Sequence, residues 1–251
     1  MSIFGKGIFC LLENQLDLLT AFCFKGFMNG ESAIAVMLKA PAAGQVKTRL
    51  VPPLTNRQSA GLYRCFIKDI FARLAVINID IFAAYTPSGT RDIIKKLVGK
   101  DARPVLQKGN NLGERLENVF RALFKKGYKK VAVIGSDSTD IPIEYIKRAF
   151  DEVEEGKIVF GPAEDGGYYL IAMHRLCDIF KDIPWSTDKV LYKSLKTARR
   201  KGIETFLLPC WHDIDTYNDL KKLVPAGIKQ GLLKNKIDIP HTYNFLKKKI
   251  L

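Results

Sequence analysis

From Ala33 onward the chain alternates short apolar, β-rich runs with longer segments whose apolar residues recur at helical spacing, and this limits it more than any other feature. Parallel strands cannot be joined by tight turns and need a crossover, usually a helix, so the alternation calls for a layered α/β fold with a mostly parallel central sheet. "AIAVML" (Ala33 to Leu38) is expected as a central strand, followed by a helix over Arg57 to Ala75 that buries Leu62, Phe66, Ile70, Phe71 and Leu74. A strand over Ile79 to Tyr85 and a helix over Thr90 to Val98 come next, then the amphipathic "LGERLENVFRALFKKGY", stopped at Gly127. "KVAVIGSD" supplies a buried strand, Val131 to Ile134, and "IEYIKRAFDEV" a helix. "KIVFGPAEDGGYYLIAM" reads as two strands around a glycine-rich turn, "TDKVLYKSLKTARRKG" as a helix, "IETFLLP" as a late strand and "TYNDLKKLV" as a helix capped by Thr216. No internal repeat or low-complexity linker divides the chain. One domain is expected over residues 31–224, with an N-terminal extension, 1–30, and a Lys-rich C-terminal segment, 225–251.

Charge narrows the partners. The formal net charge is +14, which suits nucleic acid, anionic lipid or an anionic small substrate. Residues Lys221 to Leu251 hold eight lysines against one acid, Asp238, so +7 of that excess lies in a terminal segment rather than in a patch. With no zinc-finger, basic-leucine or RNA-binding aromatic pattern beside it, nucleic acid is disfavoured. In the first thirty residues Glu13 and Asp17 break the apolar character, so neither a membrane span nor a secretory signal is expected. That extension reads as an amphipathic helix or as translated upstream sequence with the start at Met28, and the second is favoured. Five widely spaced cysteines (Cys10, Cys23, Cys65, Cys177, Cys210) without a Cys-x-x-Cys pair suggest a reducing, cytoplasmic setting. Three scattered histidines give no zinc-hydrolase pattern.

Five stretches could carry chemistry. "KAPAAGQVKTRL" (Lys39 to Leu50) follows the first strand, and Gly44 lies too close to Lys47-Thr48 for a P-loop. Lys47 and Arg49 could still offer cations to phosphate, though alone the stretch reads as a solvated basic turn. "GSDSTD" (Gly135 to Asp140) presents Asp137 and Asp140 at a strand's carboxyl end, where open α/β sheets bind ligands; the alternative is that Ser138 or Asp140 caps the next helix. In "WHDIDTYNDL", Asp213 and Asp215 alternate about Ile214, so an extended segment points both carboxylates one way, either toward a metal site or as loop polarity. Hard carboxylate oxygens suit Mg²⁺ or Mn²⁺. "GPAEDGGYYL" sets Glu164 and Asp165 beside Gly166 and Gly167, in a ligand-facing turn or a plain hairpin. "IPWSTDKVL" offers the flat face of Trp185 and the hydroxyls of Ser186 and Thr187, or a helix start capped by Thr187.

Taken in order, "KAPAAGQVKTRL", "LGERL", "GSDSTDIP", "GPAEDGGYYLI", "IPWST" and "DIDTYNDL" resemble a bacterial glycosyltransferase-like family of uncharacterised transferases with the GT-A, nucleotide-diphospho-sugar transferase fold. Some of its members are labelled arsenosugar biosynthesis glycosyltransferases. The resemblance spans Ile34 to Leu223. More distantly the pattern is similar to molybdenum-cofactor nucleotidyltransferases and 2-phospholactate guanylyltransferases. It implies a single GT-A-like three-layer domain and a nucleotide-binding role for Lys39, Pro41, Gly44, Lys47, Arg49, Gly113 and Arg115. It also implies a divalent metal on Asp137 with Asp215 as second ligand, and an acceptor side lined by Glu164 to Gly167 and Trp185 to Thr187. Asn111, Thr139, Tyr217 and Asn218 depart from the residues usual in that family, which touches substrate preference rather than fold.

The expected reaction is metal-dependent transfer of a sugar from a nucleoside-diphosphate sugar to a small acceptor. Lys47 and Arg49 would stabilise the leaving diphosphate, and Glu164 or Asp165 would act as base. A nucleotidyltransferase releasing pyrophosphate is the alternative, and a non-catalytic nucleotide-binding protein the second alternative.

Overall fold

Strand β1 (Ser32–Lys39) is buried on both faces, which is why it reads as a continuous apolar run rather than an alternation. In a computed structural model of the protein, residues 30–223 and 238–249 are described; the expectations for the N-terminal extension and for most of the Lys-rich segment lie outside them. β1 pairs in parallel with β2 (Asp80–Thr86) on one side and β4 (Lys130–Gly135) on the other. The seven-stranded sheet runs β3-β2-β1-β4-β6-β5-β7, with β3 (Ala102–Leu106), β5 (Lys157–Pro162), β6 (Tyr168–Met173) and β7 (Glu204–Leu207). β6 alone runs against its neighbours β4 and β5. Every parallel strand therefore ends at one edge, and the β5–β6 hairpin turns there too.

Alternate residues of β1 feed two cores. Ile34, Val36 and Leu38 meet Leu62, Phe66 and Ile70 of α1 (Asn56–Leu74), together with residues of α2 (Arg91–Val98) and α4 (Ile143–Glu152). Ala33 and Ala35 meet Leu116, Phe120 and Leu123 of α3 (Leu112–Phe124) and Leu191 of α5 (Val190–Arg200) on the opposite face. Helices thus cover both faces, as the three-layer expectation requires. α1 opens on a capping box, Thr55 with Gln58, which satisfies two backbone donors of its first turn.

The structure corrects the sequence reading in three places. β3 contains Pro104 and was not expected as a strand; it pairs only with β2, and an edge strand tolerates the missing N–H. The helix after Pro142 has Pro142 itself at its N-cap and no side-chain cap, so neither Ser138 nor Asp140 serves that role. The C-terminal segment supplies a further helix, α7 (Pro240–Lys249), which packs on α1. Its first turn is capped from outside, because the buried Asp69 carboxylate accepts His241 N at 2.9 Å and Thr242 N at 2.7 Å. As expected, Thr216 stands before α6 (Tyr217–Leu223), and its hydroxyl accepts Asp219 N at 3.3 Å while Asp219 accepts Thr216 N at 2.7 Å.

Candidate active site

The carboxyl edge of the sheet gathers the loop after β1, the end of β4, the β5–β6 turn and the segment before α6. Lys47 ties three of these together. Its Nζ lies 2.8 Å from Asp137 Oδ1 and 2.9 Å from Asp215 Oδ1, and donates to Ile214 O at 2.7 Å. An ammonium has three hydrogens, so all three are engaged. The side chain is 4% exposed, while those of Asp137 and Asp215 are 45% and 40% exposed. Burial favours the neutral amine, but the two carboxylates outweigh it and hold Lys47 above its ordinary value of 10.5. It is therefore cationic at neutral pH.

Backbone geometry brings the amine there. Lys47 sits at φ 48, ψ 40, at the head of a short 3₁₀ turn (Thr48–Leu50), with Val46 and Leu50 buried on either side. A non-glycine residue in this region is strained and persists when its surroundings over-determine it. From below, Phe66 of α1 places its ring 5.7 Å from Nζ. Ile214 N donates to Asp137 O at 3.0 Å, which fixes the late segment against the end of β4. Asp215 N and Thr216 N both donate to Asp219 Oδ2, setting the orientation of Asp215.

Around this centre is a cavity of about 230 Å³ lined by Lys39, Gln45, Lys47, Arg49, Tyr63 and Asp137, among others. Arg49 is 71% exposed, with Nη1 3.6 Å from Asp215 Oδ2. Among the described residues Lys39 Nζ reaches only Gln45 Oε1, at 3.4 Å. Both cations can turn to a bound anion. A larger cavity, about 350 Å³, lies between α1, α2 and the start of β3, at the opposite edge of the sheet, with Asp101 as its only carboxylate among the described residues.

The other expected residues divide. Asp213 accepts a hydrogen bond from Ser138 Oγ and is pushed up to about 6, by burial first and then by Asp137, Asp165 and Asp215, against the opposing Ser138 bond. Asp140 turns away: it accepts Trp211 Nε1 at 3.3 Å and lies 3.3 Å from His212 Nε2, outside the pair held by Lys47. Glu164 and Asp165 are exposed on the β5–β6 turn, where Asp165 Oδ1 accepts Gly167 N at 2.8 Å and Glu164 N donates to Trp211 O at 3.0 Å. Gly166, at φ 88, has no room for a side chain, since a Cβ would lie 2.2 Å from Asp188 O.

Trp185 lies against the start of α3: a Cβ on Gly113 would come within 2.6 Å of its indole nitrogen. The indole is a packing element between α3 and the second core, and Ser186 and Thr187 stay exposed beside it. Thr187 donates to Pro184 O at 2.7 Å and accepts Lys189 N at 3.3 Å, which makes a turn ahead of α5. Arg115 Nε is occupied by Gly109 O at 3.1 Å, and Pro41 O accepts Arg64 Nη2 at 3.3 Å. Gly44 turns the loop at φ 74. Asn111 caps α3 by accepting Glu114 N at 2.9 Å.

Sequence reasoning missed Tyr63 and Ser136, and read Ser138 only as an alternative helix cap. The Tyr63 hydroxyl lies 2.6 Å from Ser136 Oγ and accepts Lys39 N at 3.2 Å, so it joins the ends of β1 and β4 under the cavity. Burial and then Asp137 push it up to about 12, so it stays protonated.

The donor set fits a divalent ion. Two hard carboxylates already converge on one cation, the Lys47 ammonium, and both keep exposed surface. Among the described residues no group of three acids, histidines or cysteines converges. Such an ion would thus take few protein ligands and complete its shell with phosphate and water, as Mg²⁺ does.

Residues 70–187 match the profile of a family described as an uncharacterized protein conserved in bacteria (DUF2064). A crystal structure from Desulfovibrio desulfuricans G20, of a candidate nucleotide-diphospho-sugar transferase, is 32% identical over 84% of this chain and 98% of that one, with a TM-score of 0.74. A Methanothermobacter nucleotidyl transferase is 14% identical, over 82% of this chain and all of that one, with a TM-score of 0.51. A cytidylyltransferase from Leptospira borgpetersenii is 12% identical, over 83% and 96%, also at 0.51. These last two share the fold alone. No curated protein matches the chain.

Proposed function

We propose that this chain, which belongs to the DUF2064 family of bacterial proteins and has the nucleotide-diphospho-sugar transferase fold, is a divalent-metal-dependent glycosyltransferase acting on a nucleoside-diphosphate sugar and a small acceptor. One observation carries the reading: Asp137 and Asp215 meet at a single cation position on the sheet's carboxyl edge, beside the exposed cations Arg49 and Lys39. When bound, Mg²⁺ or Mn²⁺ supplies a Lewis acid for the diphosphate oxygens.

The chain's own residues do the rest. Asp137 and Asp215 would hold the ion, and Arg49 and Lys39 donate to the diphosphate oxygens. Negative charge grows on the leaving diphosphate as its bond to the sugar breaks, so donors placed there lower the barrier rather than only tightening binding. Asp165, on the β5–β6 turn, takes the proton from the attacking acceptor hydroxyl; its Oδ1 is fixed by Gly167 N, which leaves Oδ2 for that task. Asp140 and Trp185 are assigned no part in the chemistry: the Asp140 oxygens face Trp211 and His212, and the Trp185 indole packs on Gly113 of α3.

Incubation with Mg²⁺ and UDP-, GDP- and dTDP-sugars should release nucleoside diphosphate, and NTPs should give no pyrophosphate. Pyrophosphate release with no turnover of any nucleotide sugar would instead make the chain a nucleotidyltransferase, a chemistry this edge of the sheet also accommodates.

A further inference from the structure

Lys47 was expected to face a phosphate, and the structure gives it another occupation. Its three hydrogens all end on oxygens of the chain, so it cannot reach a ligand without releasing a carboxylate or the Ile214 carbonyl. We infer that Lys47 is a built-in counter-cation: it holds Asp137 and Asp215 in ligand geometry before any metal arrives, and it makes metal binding conditional on a diphosphate. This rests on the proposed donor chemistry and deepens it, because it states in what form the donor loads.

The charges lead there. Two carboxylates with one buried ammonium between them leave a single net negative charge at the centre, and Arg49, 3.6 Å from Asp215, offsets much of that. A free divalent ion therefore meets a fixed positive charge within 3 Å of both ligating groups. Like charges so placed repel strongly where water is excluded. A diphosphate brings compensating negative charge with the ion, so its complex is neutral for a nucleotide sugar and singly negative for a nucleoside diphosphate, and the cations that repel the bare ion no longer oppose it. The exposed surface of Asp137 and Asp215 is what remains to reach the ion, while Lys47 keeps its hold from beneath.

Nothing in the loop lets Lys47 swing aside cheaply. Its backbone is pinned at φ 48 between buried Val46 and Leu50, and Leu50 N and Val51 N bond back to Lys47 O and Thr48 O at 3.0 and 3.1 Å. The ammonium is a fixture of the site, and the ion must accommodate it.

The test is Mn²⁺ binding followed by water-proton relaxation, which separates protein-bound from free ion and needs no turnover. Wild-type protein should bind free Mn²⁺ weakly, and at least one of ADP, CDP, GDP, UDP and dTDP should tighten Mn²⁺ by about tenfold or more, within the usual range of coupling between sites. Lys47→Gln should bind free Mn²⁺ about tenfold more tightly than wild type and lose most of the coupling. A merely structural lysine predicts the opposite sign, since its loss would splay the carboxylates and weaken the ion. Mn²⁺ held as tightly by wild type alone as in a ternary complex with a diphosphate that does bind, or less tightly by Lys47→Gln, overturns the inference. Should Lys47→Gln fail to fold by circular dichroism, the wild-type comparison decides alone. If Lys47→Gln tightens free Mn²⁺ while no diphosphate forms a ternary complex, the counter-cation role stands and the nucleotide-sugar reading falls.

Discussion

Two buried charges in this protein are neutralised in opposite ways. Asp69 in α1 is fully buried, and its partners are two backbone N–H groups at the head of α7. Lys47 is nearly as buried, yet two of its three partners are half-exposed carboxylates. Fixed dipoles close a site, because nothing remains to turn outward. Exposed counter-charges leave one open, since the same groups that hold the lysine also face solvent and can hold something else. Burial of a charge therefore marks function only when its partners are accessible.

Breaking the open site should have the largest effect. Asp137→Asn is expected to lower kcat by about 10²–10³-fold, the range seen when one transition-state contact is removed, with little change in the melting midpoint. Removing divalent ions with EDTA should abolish the same activity, and adding Mg²⁺ back should restore it. Breaking the closed site should reverse the pattern. Asp69→Ala leaves two N–H groups unpaired and should cost about 3 kcal/mol, seen as a fall of about 10 °C in Tm, with kcat of the remaining folded enzyme unchanged.

Two smaller changes sharpen the contrast. Gly166→Ala should destabilise by about 2 kcal/mol in denaturant melts, since Gly166 combines φ 88 with a carbonyl oxygen where the Cβ must go. It should also raise KM for the acceptor more than for the donor, because the turn carries Asp165. Arg49→Ala, at an exposed ion pair, should barely change stability yet raise KM for the nucleotide sugar by about tenfold. An Arg49→Ala enzyme with unaltered donor KM would remove that residue from the diphosphate.

Periodicity made the layers legible. The run at Ala33 to Leu38, the Leu62–Phe66–Ile70 face and the glycine-rich turn all lie where their spacing places them, because those signals are local. β3 escaped because Pro104 breaks the run, and edge position is a property of the sheet rather than of the segment. α7 escaped because its lysines read as tail charge, while the group that caps it, Asp69, stands 172 positions earlier.

The site was half legible for the same reason. Asp137 and Asp215 were singled out by type and by resemblance, but only the fold shows that Lys47, 168 positions before Asp215, lies between them. Nothing local distinguishes Tyr63 from any other aromatic residue on the face of a helix. Asp140 has the same chemistry as Asp137 three positions away, and the chain's turn into α4 sends it to Trp211 and His212 instead.

The docking of α7 on Asp69 has a consequence for how the protein is made. Synthesis runs from the N-terminus, and sheet strands and helices can assemble as they emerge. The carboxylate at Asp69 receives its two amide partners from His241 and Thr242, 172 and 173 positions further along the chain. Until these residues emerge, α1 carries an uncovered acid and an unfilled face, so a chain cut short of α7 differs from one that includes it by that exposed surface.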